Sequence, residues 1–187
     1  METPGLFRWK QPGATLNWKL QRYGVGMASE TSKGQDFDVR LNPDGVSFTV
    51  TVPEHPAITL HEDAGHCAEL RAGALPNALR LVIEDYLKQH PALVQKLRDE
   101  TAGQMWSEYA EGPNGGWRAA GDTNAQSPQE LSQILGEGTL GIYVEADGTP
   151  TMAEIWWSNT RPFLGHSVFT QVYNLDDWSE ADASLFG

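Results

Sequence analysis

Apolar and polar residues alternate along the N-terminal part of the chain, which is the pattern of half-buried β-strands. The alternation predicts strands at Thr15–Tyr23, Phe37–Leu41 and Val46–Val52. The segment Asn42-Pro43-Asp44-Gly45 carries turn residues and joins the second and third of these strands into a hairpin. Ile58–Leu60 follows two prolines and is predicted to extend an edge of the sheet.

The middle of the chain changes to helical periodicity. Apolar residues at helical spacing predict a helix over Ala74–Gln89, and a second helix opens at Pro91 and runs to about Tyr109. We expect this helical hairpin to cover a sheet. The Gly-rich stretch 111–126 has no period and predicts a long loop, and Ser127-Pro128-Gln129-Glu130 is a capping box that predicts a helix to about Leu135.

Strand alternation returns at the C-terminal end. It predicts strands at Leu140–Glu145, Met152–Trp157, His166–Tyr173 and Trp178–Phe186, with a hairpin turn at Asp147-Gly148. The predicted fold is therefore α+β: a mostly antiparallel sheet, formed by N-terminal and C-terminal hairpins, packed with a helical hairpin and one short helix. We expect a single domain over residues 1–187, subdivided into N-terminal strands (1–73), a helical part (74–136) and C-terminal strands (137–187).

Charge is distributed unevenly along the chain. The formal net charge is −12, and residues 122–187 carry ten acidic residues against the single cation Arg161. Such a field repels nucleic acid and anionic membranes and attracts basic partners. No apolar run is long enough for a membrane span, and the N-terminus lacks the apolar region of a signal peptide. With a single cysteine, Cys67, an internal disulfide is impossible, and we expect a cytoplasmic protein.

The densest group of metal-ligating residue types is His61-Glu62-Asp63-Ala64-Gly65-His66-Cys67. Zinc-binding helices place two histidines four residues apart so that both face one ion, whereas His61 and His66 are five apart. A loop could still bring His61, His66 and Cys67 together with His55. They stay weak candidates, and we predict neither a metal nor another cofactor. The bland alternative is a solvated loop in which Cys67 packs inward.

Motifs for nucleophilic catalysis or phosphate binding are missing from the sequence. Gly-x-Ser-x-Gly is absent, and Gly24-Val25-Gly26 lacks the third glycine of a dinucleotide loop. Paired carboxylates are abundant, and two carboxyls beside a tryptophan platform would suit a hydrolase. This alternative rests on the acidic groups and tryptophans of the chain: Glu84-Asp85, Asp99-Glu100, Asp176-Asp177, Glu180, Asp182, Trp156, Trp157 and Trp178.

The C-terminal tail resembles that of small uncharacterised bacterial domains. It contains Phe163-Leu164-Gly165-His166-Ser167, a strand, a turn with Asp176-Asp177, and the run Ala181–Gly187. The tails of those domains read roughly F-x-G-H-S-I, strand, D-x-D-G, strand, A-x-I-x-G. This chain departs from them at Asp177-Trp178, which stands in place of Asp-Gly. Relatives of this kind resemble proteins encoded beside polymorphic toxins, so the resemblance implies an immunity protein.

Trp156 and Trp157 are adjacent in a predicted strand and must face opposite sides, so one can be core while the other is covered or at the surface. We predict a non-enzymatic bacterial immunity protein, a monomer or homodimer, that occludes a cognate toxin with a basic active-site cleft. Acidic groups would steer the partner and tryptophans would anchor it. The predicted partner-binding residues are Trp157, Asp176, Asp177, Trp178, Glu180 and Asp182. The alternatives are the hydrolase and an acidic structural or adaptor domain.

Overall fold

The computed structural model describes residues 36–63, 65–111, 116–120 and 124–187, without the side chains of residues 119 and 120. The predicted strand Thr15–Tyr23 and the glycines at 24–26 lie outside the described residues. The residues from 36 onward belong to one compact unit. Its fold is α+β, as the sequence predicted.

Seven strands form one sheet whose spatial order is the same as their order in the chain. The strands are β1 (Asp38–Leu41), β2 (Ser47–Thr51), β3 (Ile58–Glu62), β4 (Gly138–Val144), β5 (Pro150–Trp157), β6 (Ser167–Asn174) and β7 (Ser179–Phe186). Every neighbouring pair is antiparallel except β3 and β4, which are parallel. The predicted N-terminal and C-terminal hairpins thus share one sheet.

The strand at Ile58–Leu60 is not at an edge. It is β3, hydrogen-bonded to β2 on one side and to β4 on the other. The prediction of an edge strand was wrong because the parallel partner β4 arrives only after the whole helical part of the chain. Sequence alternation does not show which distant strand pairs with a given one.

The helical part connects β3 to β4. It contains α1 (Ala68–Arg71), α2 (Asn77–Gln89), α3 (Ala92–Glu111), α4 (Gly116–Ala120) and α5 (Pro128–Ile134). The predicted helical hairpin corresponds to α2 and α3, and Pro76 precedes α2 as its N-cap residue. At α5, the hydroxyl of Ser127 accepts a hydrogen bond from the Glu130 amide at 3.2 Å, which confirms the predicted cap.

The stretch predicted as a loop over 111–126 contains α4, so the prediction was wrong for residues 116–120. The ring of Trp117 in this helix packs edge-on against Phe163 and His166, at centroid distances of 6.1 Å and 5.1 Å. A helix of one turn has too little periodicity to be recognised from sequence. Helix α4 packs against the rest of the fold through Trp117. Of the rest of this stretch, residues 112–115 and 121–123 lie outside the described residues.

One face of the sheet forms the core with the helices. Inward-facing side chains of β2 to β6 are fully buried, and Val168 and Val172 share this face as the alternation in β6 predicted. Helix α3 reaches the same face through a short hydrogen bond between the hydroxyls of Thr101 and Thr170. Gly138 is the first residue of β4, and the ring of Trp157 packs against it. A Cβ atom at position 138 would lie 2.9 Å from that ring.

Candidate functional site

Two of the predicted partner-binding tryptophans are in the core. Trp157 is 2% exposed and Trp178 is 0% exposed. The indole N–H of Trp157 donates to the hydroxyl of Thr170 at 2.9 Å, and the ring of Trp178 packs on Tyr86 of α2 at 5.4 Å between centroids. The prediction that these two side chains anchor a partner was wrong, because neither reaches the surface of the folded chain.

Trp178 occupies a backbone position that ordinarily suits glycine. Its φ is +54°, in the left-handed region that side chains disfavour. Full burial of the indole ring offsets the backbone cost at this position.

The four predicted acidic residues are all exposed. Asp176 and Asp177 lie in the turn between β6 and β7, and Glu180 and Asp182 lie on β7. The register places Asp182 directly across from Gln171 of β6. Glu180 and Asp182 therefore border the sheet face that points away from the helices, whereas Asp177 lines a cleft with Lys88 and Lys96 of helices α2 and α3.

That face carries a set of aromatic and polar side chains that no described helix covers. We call it the aromatic–acidic face, and it consists of Tyr143, Glu154, Trp156, Phe169, Gln171, Tyr173, Glu180, Asp182 and Phe186. Tyr173 is 47% exposed and Phe186 is 65% exposed. Trp156 stacks on Phe169 at 4.8 Å between centroids and meets Phe186 edge-on at 5.9 Å.

The tryptophan on the accessible side of β5 is thus Trp156, not Trp157. Strand alternation established that the two face opposite sides, but it did not show which side is the core. Ala153 and Ile155 share the face of Trp157 and are buried with it. The small and apolar character of those two positions was the signal in the sequence that could have assigned Trp157 to the core.

Glu154 lies at the centre of the aromatic–acidic face and was not predicted from the sequence. It is only 6% exposed. Its Oε2 accepts hydrogen bonds from the Tyr143 hydroxyl at 3.0 Å and from the Trp156 indole N–H at 3.1 Å, and its Oε1 accepts one from the Gln171 amide at 2.9 Å. Three neutral donors therefore hold this carboxylate in a fixed orientation.

The pKa values of two tyrosines near Glu154 are raised, first by burial and then by nearby carboxylates. Burial, together with the hydrogen bond to Glu154 and the charges of Glu154 and Asp63, raises the pKa of Tyr143 to about 12. Burial and the charges of Asp182 and Glu154 also raise the pKa of Tyr173. Both phenols are neutral hydrogen-bond donors at neutral pH, and the Tyr173 hydroxyl donates to Gln171 at 2.9 Å.

The weak metal candidates His61, His66 and Cys67 do not converge. His61 stacks on Tyr143 at 5.0 Å between centroids, His66 contacts Glu62 at 2.9 Å, and Cys67 is buried. Within the described ranges, no group of three or more histidine, cysteine or acidic side chains is arranged to hold a metal ion.

Glu62 is instead the centre of a structural cluster. Burial favours its protonated form, but hydrogen bonds from Arg71, His66 and the Cys67 amide outweigh this effect and lower the pKa of Glu62 to about 2. The Cys67 N–H lies 2.8 Å from Oε1 of Glu62. The cluster fixes the segment between β3 and α1.

Two clefts provide no carboxylate pair for the hydrolase alternative. One, of about 560 Å³, is lined by residues that include His90, Arg98 and Glu137, and Glu137 is its one carboxylate. The other, of about 370 Å³, has Asp177 as its one carboxylate. Two of the paired acids on the helices instead bond to other elements of the fold: Asp85 accepts from Trp178, and Asp99 accepts from Ser132.

Comparisons of the chain with protein-family models, with curated proteins and with solved structures found no match. Among the described residues, no helix is both long enough and apolar enough to cross a membrane. The assignment of function therefore depends on the aromatic–acidic face itself.

Proposed function

We propose that this chain is a non-enzymatic bacterial immunity protein of the cytoplasm that binds and occludes a basic toxin through its aromatic–acidic face. The observation that carries the proposal is the combination of exposed rings and carboxylates on one sheet face that no described helix covers. Tyr173 and Phe186 supply exposed apolar surface, and Glu180 and Asp182 lie on the adjacent edge strand. Aromatic anchors with a charged rim are what protein interfaces use.

Charge supports a basic partner. The C-terminal third of the sequence is strongly acidic, with Arg161 as its only lysine or arginine. Toxins that act on nucleic acids or nucleotides present basic clefts, and a fixed array of carboxylates imitates the phosphates that such clefts accept. The resemblance of the tail to immunity proteins points to the same class.

The proposal is tested with the product of the adjacent gene, which an immunity function predicts to be the toxin. Co-expression should yield a stable complex and protect cells from the toxin. The variant D176N/D177N/E180Q/D182N should associate at least about tenfold more slowly at low ionic strength, with a flatter salt dependence.

A control variant removes the same total charge elsewhere. Glu54, Glu69, Glu100 and Glu111 are exposed and lie on the segment between β2 and β3 and on helices α1 and α3. The variant E54Q/E69Q/E100Q/E111Q should associate much faster than the first variant. Equal slowing by both variants would show that only the overall charge matters, and absence of any complex would refute the immunity function.

A further inference from the structure

Glu154 is a buried carboxylate that forms no ion pair with any residue that the structure describes. Among the residues the structure describes, the ion pairs join Arg40 to Asp38, His66 and Arg71 to Glu62, and Lys96 to Glu100. Carboxylates are rarely buried unless they are paired or bind a cation. The described donors to Glu154 are all neutral, so its charge is available to a positive group from outside the described part of the chain.

The geometry of the donors leaves a position for that group. An ionised carboxylate has about four acceptor positions. Among the described residues, two donors occupy Oε2 of Glu154 and the Gln171 amide alone occupies Oε1. One acceptor position on Oε1 therefore remains. Gln171, which donates to Oε1, lies opposite the exposed Asp182 in the pairing of β6 with β7.

The surroundings of this position are aromatic. Trp156 forms one side, stacked on Phe169, and Tyr143 forms another, stacked on His61. The exposed ring of Tyr173 is joined to the same network through Gln171. Ring faces attract cations, and a planar guanidinium can stack on a ring while the N–H groups in its own plane point past the ring edge at a carboxylate.

We propose that the aromatic–acidic face contains a binding site for a single arginine side chain of the partner protein, with Glu154 as its counter-ion. This inference rests on the proposed function and identifies the group that the partner inserts. The guanidinium donates to Oε1 of Glu154, and the flat face of the guanidinium lies on the ring of Trp156 or Tyr173. Asp182 adds a second negative charge at the rim. Arginine fits better than lysine because an ammonium group cannot stack.

The site can be tested without the toxin. The indole N–H resonance of Trp156, assigned with the Trp156→Phe variant, is followed in ¹⁵N spectra during titration with N-acetyl-arginine methylamide. The citrulline analogue has the same shape without charge, and the lysine analogue has charge without a plane. The arginine probe should give a saturable shift, the lysine probe should bind at least threefold more weakly, and the citrulline probe should give no saturable shift.

Variants of the protein test whether the arginine probe binds at Glu154. Glu154→Gln should weaken binding of the arginine probe at least tenfold, whereas Glu145→Gln in the exposed β4–β5 turn should leave it unchanged. If Glu154→Gln does not fold, Tyr173→Ser and Asp182→Asn, which alter exposed side chains, should each weaken binding at least twofold. No saturable shift with arginine, or equal shifts with citrulline, would overturn the proposal.

The outcomes separate this site from the proposed function. If the arginine probe binds at Glu154 but the adjacent gene product does not, the site stands and the immunity function falls. If the gene product binds with an affinity that Glu154→Gln leaves unchanged, and the probe does not bind, the immunity function stands and the arginine site falls.

Discussion

The indole N–H of Trp178 lies 3.2 Å from Oδ2 of Asp85 and donates a hydrogen bond to it. This contact joins the β6–β7 turn to helix α2 across the core. Asp85→Ala leaves the buried indole N–H without its acceptor, so we expect the free energy of unfolding to fall by about 1–3 kcal/mol. Urea denaturation followed by tryptophan fluorescence measures the change.

A control separates this bond from the other contact of Asp85. The same Oδ2 accepts from Gln89, an exposed side chain, at 2.6 Å. Gln89→Ala removes that donor and leaves the indole bond, so it should change the free energy of unfolding by less than about 0.5 kcal/mol. Equal losses in both variants would contradict the importance of the Trp178 bond.

A chain of hydroxyls satisfies Trp157 inside the core. Its indole N–H donates to Thr170, Thr170 donates to Thr101, and Thr101 donates to the carbonyl of Leu97 at 2.6 Å. Thr170→Val keeps the volume but removes the acceptor, and we expect a loss of about 1–3 kcal/mol in thermal or urea unfolding. Thr59→Val, on the face of β3 away from the core, makes the same chemical change and should have little effect.

Glu62 should make stability dependent on acid pH. Its folded pKa of about 2 lies below the usual value of an unfolded glutamate, so its contribution is fully present above about pH 4.5. That contribution is lost as the pH falls from about 4.5 toward 2. Glu62→Gln should therefore cost about 2 kcal/mol at pH 7 and progressively less below pH 4.5.

Urea unfolding of both proteins at several pH values between 7 and 3 measures this difference. Glu69→Gln is the control, because Glu69 is an exposed residue of the neighbouring helix α1. The free energy of unfolding of the Glu69→Gln variant should differ little from that of the wild type at every pH. A difference for Glu62→Gln that stays constant down to pH 3 would contradict the assigned pKa.

Gln104 of α3 protects the edge of the sheet. Its amide donates to the carbonyl of Ala181 at 2.7 Å and accepts from the N–H of Ala183 at 2.7 Å, as a neighbouring strand would. Gln104→Ala exposes these backbone groups on β7, and exposed strand edges promote pairing between molecules. We expect concentration-dependent self-association in sedimentation velocity. The control variant Gln95→Ala, on the same helix, should sediment like the wild type.

The periodicity of the sequence predicted most of the elements because each depends on local residue order. The capping residues Ser127 and Glu130 marked the start of α5, and Asn42–Gly45 marked the first hairpin turn. The short helix α4 was missed because a single turn has no period. The strand β3 was placed at an edge because its partner β4 lies beyond the helices.

Of the aromatic–acidic face and its surroundings, the sequence predicted only the exposed acidic residues. The acids Asp176, Asp177, Glu180 and Asp182 are exposed as expected, since a run of carboxylates with no cation among them has no reason to be buried. Glu154 gave no signal, because an isolated glutamate between apolar residues in a strand looks like any other outward-facing position. Its importance depends on three donors from three strands.

The sequence by itself determined the α+β class, the hairpin turns, the acidic C-terminal field and the fact that Trp156 and Trp157 face opposite ways. Only the tertiary structure decided which of the described tryptophans are core, that the seven described strands form one sheet, and that Glu154 lies among aromatic rings on the face away from the helices. The reason is physical: periodicity and charge are local properties of the chain, whereas burial and hydrogen-bond partners depend on which distant segments pack together.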